Sequence, residues 1–123
     1  MKENEISFYI RKFIFSVYNE LGPGLLEKVL AYELEKNGLK IRTQVPMGIK
    51  FKDAFIDSGF IADIMVEDKV IIEIKAISEI HNIHHQQLLT YLKLTGLKLG
   101  ILVNFNTDYI DKSIIRKVNS SLD

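Results

Sequence analysis

Apart from its charged turn, Glu67-Asp68-Lys69, the run FIADIMVEDKVIIEIKA at residues 60–76 is apolar but for three ionised residues, Asp63, Glu73 and Lys75. Desolvating a charge costs on the order of several kcal/mol, so such groups in a core are paired, protonated or coordinated. Two carboxylates held side by side repel unless a proton or a cation lies between them. Oxygen donors on a rigid scaffold suit a hard cation such as Mg²⁺ or Mn²⁺. The competing reading is a Glu73–Lys75 ion pair on a half-exposed strand, with Asp63 at the sheet edge.

The elements that carry these residues decide whether they meet. The run reads as two strands, Phe60 to Val66 and Val70 to Ala76, joined by a charged turn. Strand side chains alternate faces, so Ile71, Glu73 and Lys75 share one face, and Ile61, Asp63 and Met65 share one on the strand before. Ala62, Ile64 and Val66 take the opposite side. A three-residue loop, Glu67-Asp68-Lys69, pairs Val66 with Val70 and sets Asp63 opposite Glu73. A two-residue loop would turn Asp63 away. The longer loop leaves two cleanly separated faces and is preferred.

Around this hairpin the periodicity predicts an amphipathic helix over Glu5 to Leu21, broken by Gly22-Pro23-Gly24, and a second from Leu25 to Lys36, stopped at Asn37-Gly38. Lys40 to Pro46 and Gly48 to Phe51 alternate loosely, Pro46 suiting an edge strand. Asp57-Ser58-Gly59 reads as a turn. His84 to Thr95 is a third helix, Gly100 to Asn104 a strand covered on both faces, and Asp111 to Val118 a last helix. Phe8, Phe13, Phe15 and Tyr18 read as core or subunit contact. The expected fold class is α/β, a mixed sheet flanked by helices, in a single domain over residues 1–123.

Composition narrows the function. The 123 residues carry 16 basic and 16 acidic side chains, so bulk charge does not single out nucleic acid as a partner. No apolar run approaches the roughly 18 residues that span a bilayer, so no membrane partner is expected. With no cysteine there are no disulfides, thiolate sites or cysteine nucleophiles. The expected location is the cytoplasm. His81, His84 and His85 in HNIHH suggest zinc, but without cysteine ligands a hydrogen-bonding role at the helix start is preferred.

Asp63, nine intervening residues, then Glu73-Ile74-Lys75 on consecutive strands followed by a helix resembles the PD-(D/E)XK nuclease superfamily. LGPGLLEKVL (Leu21–Leu30), VEDKVIIEIKA (Val66–Ala76) and HHQQLLTYLKLTGLKLGILVNF (His84–Phe105) together resemble the GxxExxY family within it. Gly24 and Glu27 match that signature, whereas Leu30 stands at its tyrosine position. Ile61 stands where an arginine often precedes the strand aspartate.

The resemblance implies a restriction-endonuclease-like core and a divalent-metal-dependent nuclease. Asp63, Glu73 and the backbone carbonyl of Ile74 would bind Mg²⁺ or Mn²⁺, with Glu27 joining directly or through water. Gly24 would then let the start of the second helix approach the sheet closely. Lys75 would position or activate the attacking water. Gln87 and Tyr91 resemble a Q-x-x-x-Y element, Gln87 serving the catalytic site. Tyr91 and His84, one turn earlier on the same helix face as Gln87, would serve substrate binding. The implied partner is nucleic acid, DNA by preference, with a homodimer as a way to enlarge the gripping surface. The alternative is an accessory protein that keeps the fold and binds nucleic acid without cutting it.

Overall fold

The computed structural model describes residues 1–122, apart from the side chains of residues 58 and 59. Two helices, α1 (Glu3–Leu21) and α2 (Glu27–Lys36), precede three strands, β1 (Ile41–Phe51), β2 (Ala54–Val66) and β3 (Val70–Lys75). Then come α3 (Asn82–Thr95), β4 (Leu99–Asn104), a 3-10 turn (Ile110–Ser113) and β5 (Ile114–Val118). Spatial order follows chain order, β1-β2-β3-β4-β5. β3 and β4 run parallel, as their connection through α3 requires, and the other pairs are antiparallel. The architecture is the expected α/β one, a mixed sheet with helices on both faces.

On one face α1 lays Ile6, Ile10 and Ile14, and α2 lays Leu30 and Leu34, against Ile64, Val66, Ile72, Ile101 and Val103 of the strands. Each such side chain contributes roughly 1.5–3 kcal/mol when fully buried. Leu30, at the signature tyrosine position, is wholly buried here. The smaller cluster on the other face joins Leu88 and Leu92 of α3 to Met65, Ile71 and Leu102. β4 lies between them with all six residues buried. A Cβ at Gly100 would stand 2.9 Å from Leu88 Cδ1, so the missing side chain lets α3 approach the sheet. Among the described residues no helix is long and apolar enough to cross a membrane.

Four expectations need correction. Residues 111–118 are not a helix: after the 3-10 turn, Ile114 and Ile115 pair with Val103 and Leu102. Branched side chains suit that pairing, and β4 offered an open edge. Asp57-Ser58-Gly59 is not the turn either. β2 runs through it, the reversal falls at Lys52-Asp53, and the irregularity appears as a register shift between Pro46 and Gly48. Gly24 does not serve close approach of α2 to the sheet, since a Cβ there would meet only Leu26; its φ of 156° is what calls for glycine. Ala62 does not share a face with Ile64 and Val66, since it packs in the α3-side cluster. That change of face coincides with a left-handed residue, Gln44 (φ 50°), between the β1 partners of Ala62 and Ile64.

Candidate metal and nucleic-acid site

The hairpin register is the one the three-residue loop predicts. Val66 pairs with Val70, Met65 with Ile71 and Ile64 with Ile72, and there the ladder stops. The loop holds this register: Glu67 and Asp68 both take φ 54°, and Lys69 N–H donates to Val66 O at 3.0 Å. Asp68 is gripped by Lys40 at 2.6 Å and Arg42 at 2.7 Å, which hold its carboxyl below the usual range. A one-residue slip would break all of these contacts.

One step past the ladder, side chains take over from backbone. Glu73 Oε1 accepts from Asp63 N–H at 3.4 Å, and Asp63 Oδ2 accepts from Ile74 N–H at 2.8 Å. The two half-buried carboxylates are thus fixed beside each other on rigid strands. Burial, then the charge of Asp63, and to a smaller degree that of Glu27, push the Glu73 carboxyl up to about 7. The alternative of a Glu73–Lys75 ion pair is not formed: among the described residues the ion pairs within 4.0 Å are those of Asp68 with Lys40 and Arg42.

Glu27 opens α2, where a carboxylate is favoured by the helix dipole. It reaches this centre through Gln44, whose Nε2 donates to Glu27 at 2.9 and 3.1 Å and to Asp63 Oδ1 at 3.5 Å. As they stand, no three His, Asp or Glu among the described residues form a metal-holding group. The donor chemistry nevertheless fits a hard cation: Glu27 and Asp63 are drawn to one amide, and Glu73 is strained by its neighbour's charge.

Lys75 and Glu73 open onto a cavity of about 270 Å³ that α3 closes with His84, Gln87 and Tyr91. Tyr91 stacks on Phe60, ring centroids 3.8 Å apart and planes within 10°. His84 Nδ1 accepts from His81 N–H at 2.9 Å, the helix-start role expected of these histidines. His85 opens on a different cavity with Lys112 and Asn106, so the three rings do not converge. Burial lowers the His85 pKa. The structure therefore gathers Glu27, Asp63 and Glu73 around one acidic centre. Lys75, His84, Gln87 and Tyr91 line the adjoining cavity.

Two polar residues escaped the sequence reading. Gln44 carries no signal in type or spacing. Asn104 did carry one, as a polar end to the apolar GILVN. Its buried amide accepts from the Ile77 and Asn106 N–H groups and donates to Ile77 O, bracing the chain just after Lys75.

The sequence profile of the PD-(D/E)XK nuclease superfamily matches residues 4–117. No curated protein and no solved structure matches the chain. The chain belongs to the PD-(D/E)XK nuclease superfamily, and its fold is of the restriction-endonuclease type.

Proposed function

We propose that this superfamily member is a divalent-metal-dependent nuclease that hydrolyses phosphodiester bonds in nucleic acid, DNA by preference. The observation that carries the reading is the pair Asp63 and Glu73, each accepting from the other strand's backbone where the ladder ends. Asp63, Glu73 and the main-chain carbonyl of Ile74 would hold Mg²⁺ or Mn²⁺, with Glu27 as a further carboxylate. Bound there, the cation would supply charge stabilisation at the phosphoryl oxygens and lower the pKa of a bound water.

The remaining roles fall to the chain's own groups. Lys75 holds the attacking water by hydrogen bond and orients it for in-line approach. With its Nδ1 occupied by the His81 N–H, the His84 ring offers Nε2–H to a phosphate oxygen. Gln87 orders the water and phosphate from the opposite wall, and Tyr91, fixed by Phe60, supports the substrate. The balanced net charge gives one chain little electrostatic grip, and a homodimer would double its surface. The reading places the reaction in the cytoplasm, where nucleic acid and Mg²⁺ are both at hand.

The test is calorimetric titration of Mg²⁺ and Mn²⁺ into the wild type and the Asp63→Ala/Glu73→Ala double variant. Each is then incubated with single- and double-stranded DNA and RNA. Metal binding and cleavage lost together in the variant is the expected result. Binding of nucleic acid without cleavage of any substrate would favour the accessory reading. A wild type that binds no cation, even with nucleic acid present, ends the catalytic one.

A further inference from the structure

Gln44 is the least expected member of the acidic centre. It is exposed, yet it holds φ at 50°, a region that residues with a side chain rarely enter. Its amide nitrogen lies 2.9 and 3.1 Å from the two oxygens of Glu27 and 3.5 Å from Asp63 Oδ1. Two carboxylates from different elements, one on α2 and one on β2, therefore share a single amide donor. An amide nitrogen has no lone pair to give a metal, so it takes the place of positive charge between them without being a ligand.

We propose that Gln44 is a positioning residue that gates cation entry: its amide holds Glu27 beside Asp63 and competes with a cation for the two carboxylates. The inference rests on the proposed metal-dependent reading and adds the step that precedes binding. Glu27 is kept close to Asp63, so the helix carboxylate does not have to be recruited from solvent. The cation must displace the amide, which lowers affinity while preserving the arrangement of the donors.

Two substitutions separate amide from backbone. Gln44→Met keeps the length of the side chain and removes its donors. Gln44→Gly removes the side chain but tolerates the left-handed angle. In calorimetric Mg²⁺ and Mn²⁺ titrations both variants should bind roughly fivefold more tightly than wild type, the loss of one exposed charge-assisted competitor. Weaker or unchanged binding in Gln44→Met overturns the proposal, and so does a gain confined to Gln44→Gly, which would assign the effect to backbone strain.

A second readout needs no metal. In EDTA, Gln44→Met should lower Tm, and the combination with Glu27→Met, which removes both acceptor oxygens, should cost less than the two losses added, because both remove one contact. Additive losses there overturn the clamp. If no protein binds either cation while this coupling is present, the clamp stands and the metal-dependent reading is what fails.

Discussion

β3 serves two different environments with one stretch of chain. Toward α1 and α2 it turns Ile72 and Ile74 into the larger apolar cluster, where the neighbouring strands add Ile64, Val66, Ile101 and Val103. Toward α3 it turns Ile71, then Glu73 and Lys75, so that the smaller cluster ends at a polar cavity. The first face is covered by two helices and the second by one. The lesson is a division of labour along a period of two. The dry face holds the strand still, and that rigidity makes it possible to keep two carboxylates beside each other on the wet face.

The strongest way to break this comparison is to change the wet face alone. Asp63→Asn keeps an acceptor for the Ile74 N–H, and Glu73→Gln keeps one for Asp63 N–H. Each should reduce cleavage by about a hundredfold to a thousandfold, the scale of losing one group that stabilises developing charge. Neither variant should unfold at a lower temperature than wild type, since each removes a charge from the crowded pair. If either variant cuts normally, the wet face is not the reactive one.

The complementary change is Ile72→Ala on the dry face. Ile72 is fully buried, and its truncation should cost roughly 2–5 kcal/mol in urea unfolding. Cleavage per folded molecule should remain within a few-fold of wild type. A loss of activity without a loss of stability would reverse the assignment of the two faces.

The pH dependence of the metal-free protein sharpens the contrast. Glu73 titrates at about 7 in the fold against 4.5 as its ordinary value, so between those limits the folded chain binds more protons than the unfolded one. Its effect on stability therefore falls as pH rises through that window, by at most about 3 kcal/mol, and is flat above it. In EDTA, unfolding measured from pH 4.5 to pH 8 should show this decline, and Glu73→Gln should abolish it. A wild type equally stable at both ends would mean that Glu73 is not held against its neighbour's charge.

The smallest effect belongs to the exposed loop, which is outside both faces. Asp68→Ala should lower Tm slightly at low salt, and the difference should vanish in concentrated salt because the pairs with Lys40 and Arg42 are solvated. A large loss would instead show that the loop alone sets the register.

Local patterns of residue type and spacing were enough to make the central hairpin legible. Loop parity and the separation of faces predicted Val66 opposite Val70, and the observed ladder has that register. What could not be read were features decided by distant partners. β5 exists because β4 has an edge to pair with, and a short segment with Asp111 near its start looks helical without that knowledge. Ser58-Gly59 signals a break in regularity, but only the pairing with β1 decides whether it becomes a turn or a bulge. Gln44 enters the acidic centre through a backbone angle that no spacing rule anticipates.

Gly100 lies on β4, and the carboxylates lie on β2 and β3. Yet Leu88, whose side chain fills the space above that glycine, also forms part of the cavity wall beside Gln87 and Tyr91. The bare backbone at residue 100 therefore acts as the shim that sets how far α3 stands off the sheet. Any larger residue there would press on Leu88 and change the shape of the cavity beside it, with every polar group left in place.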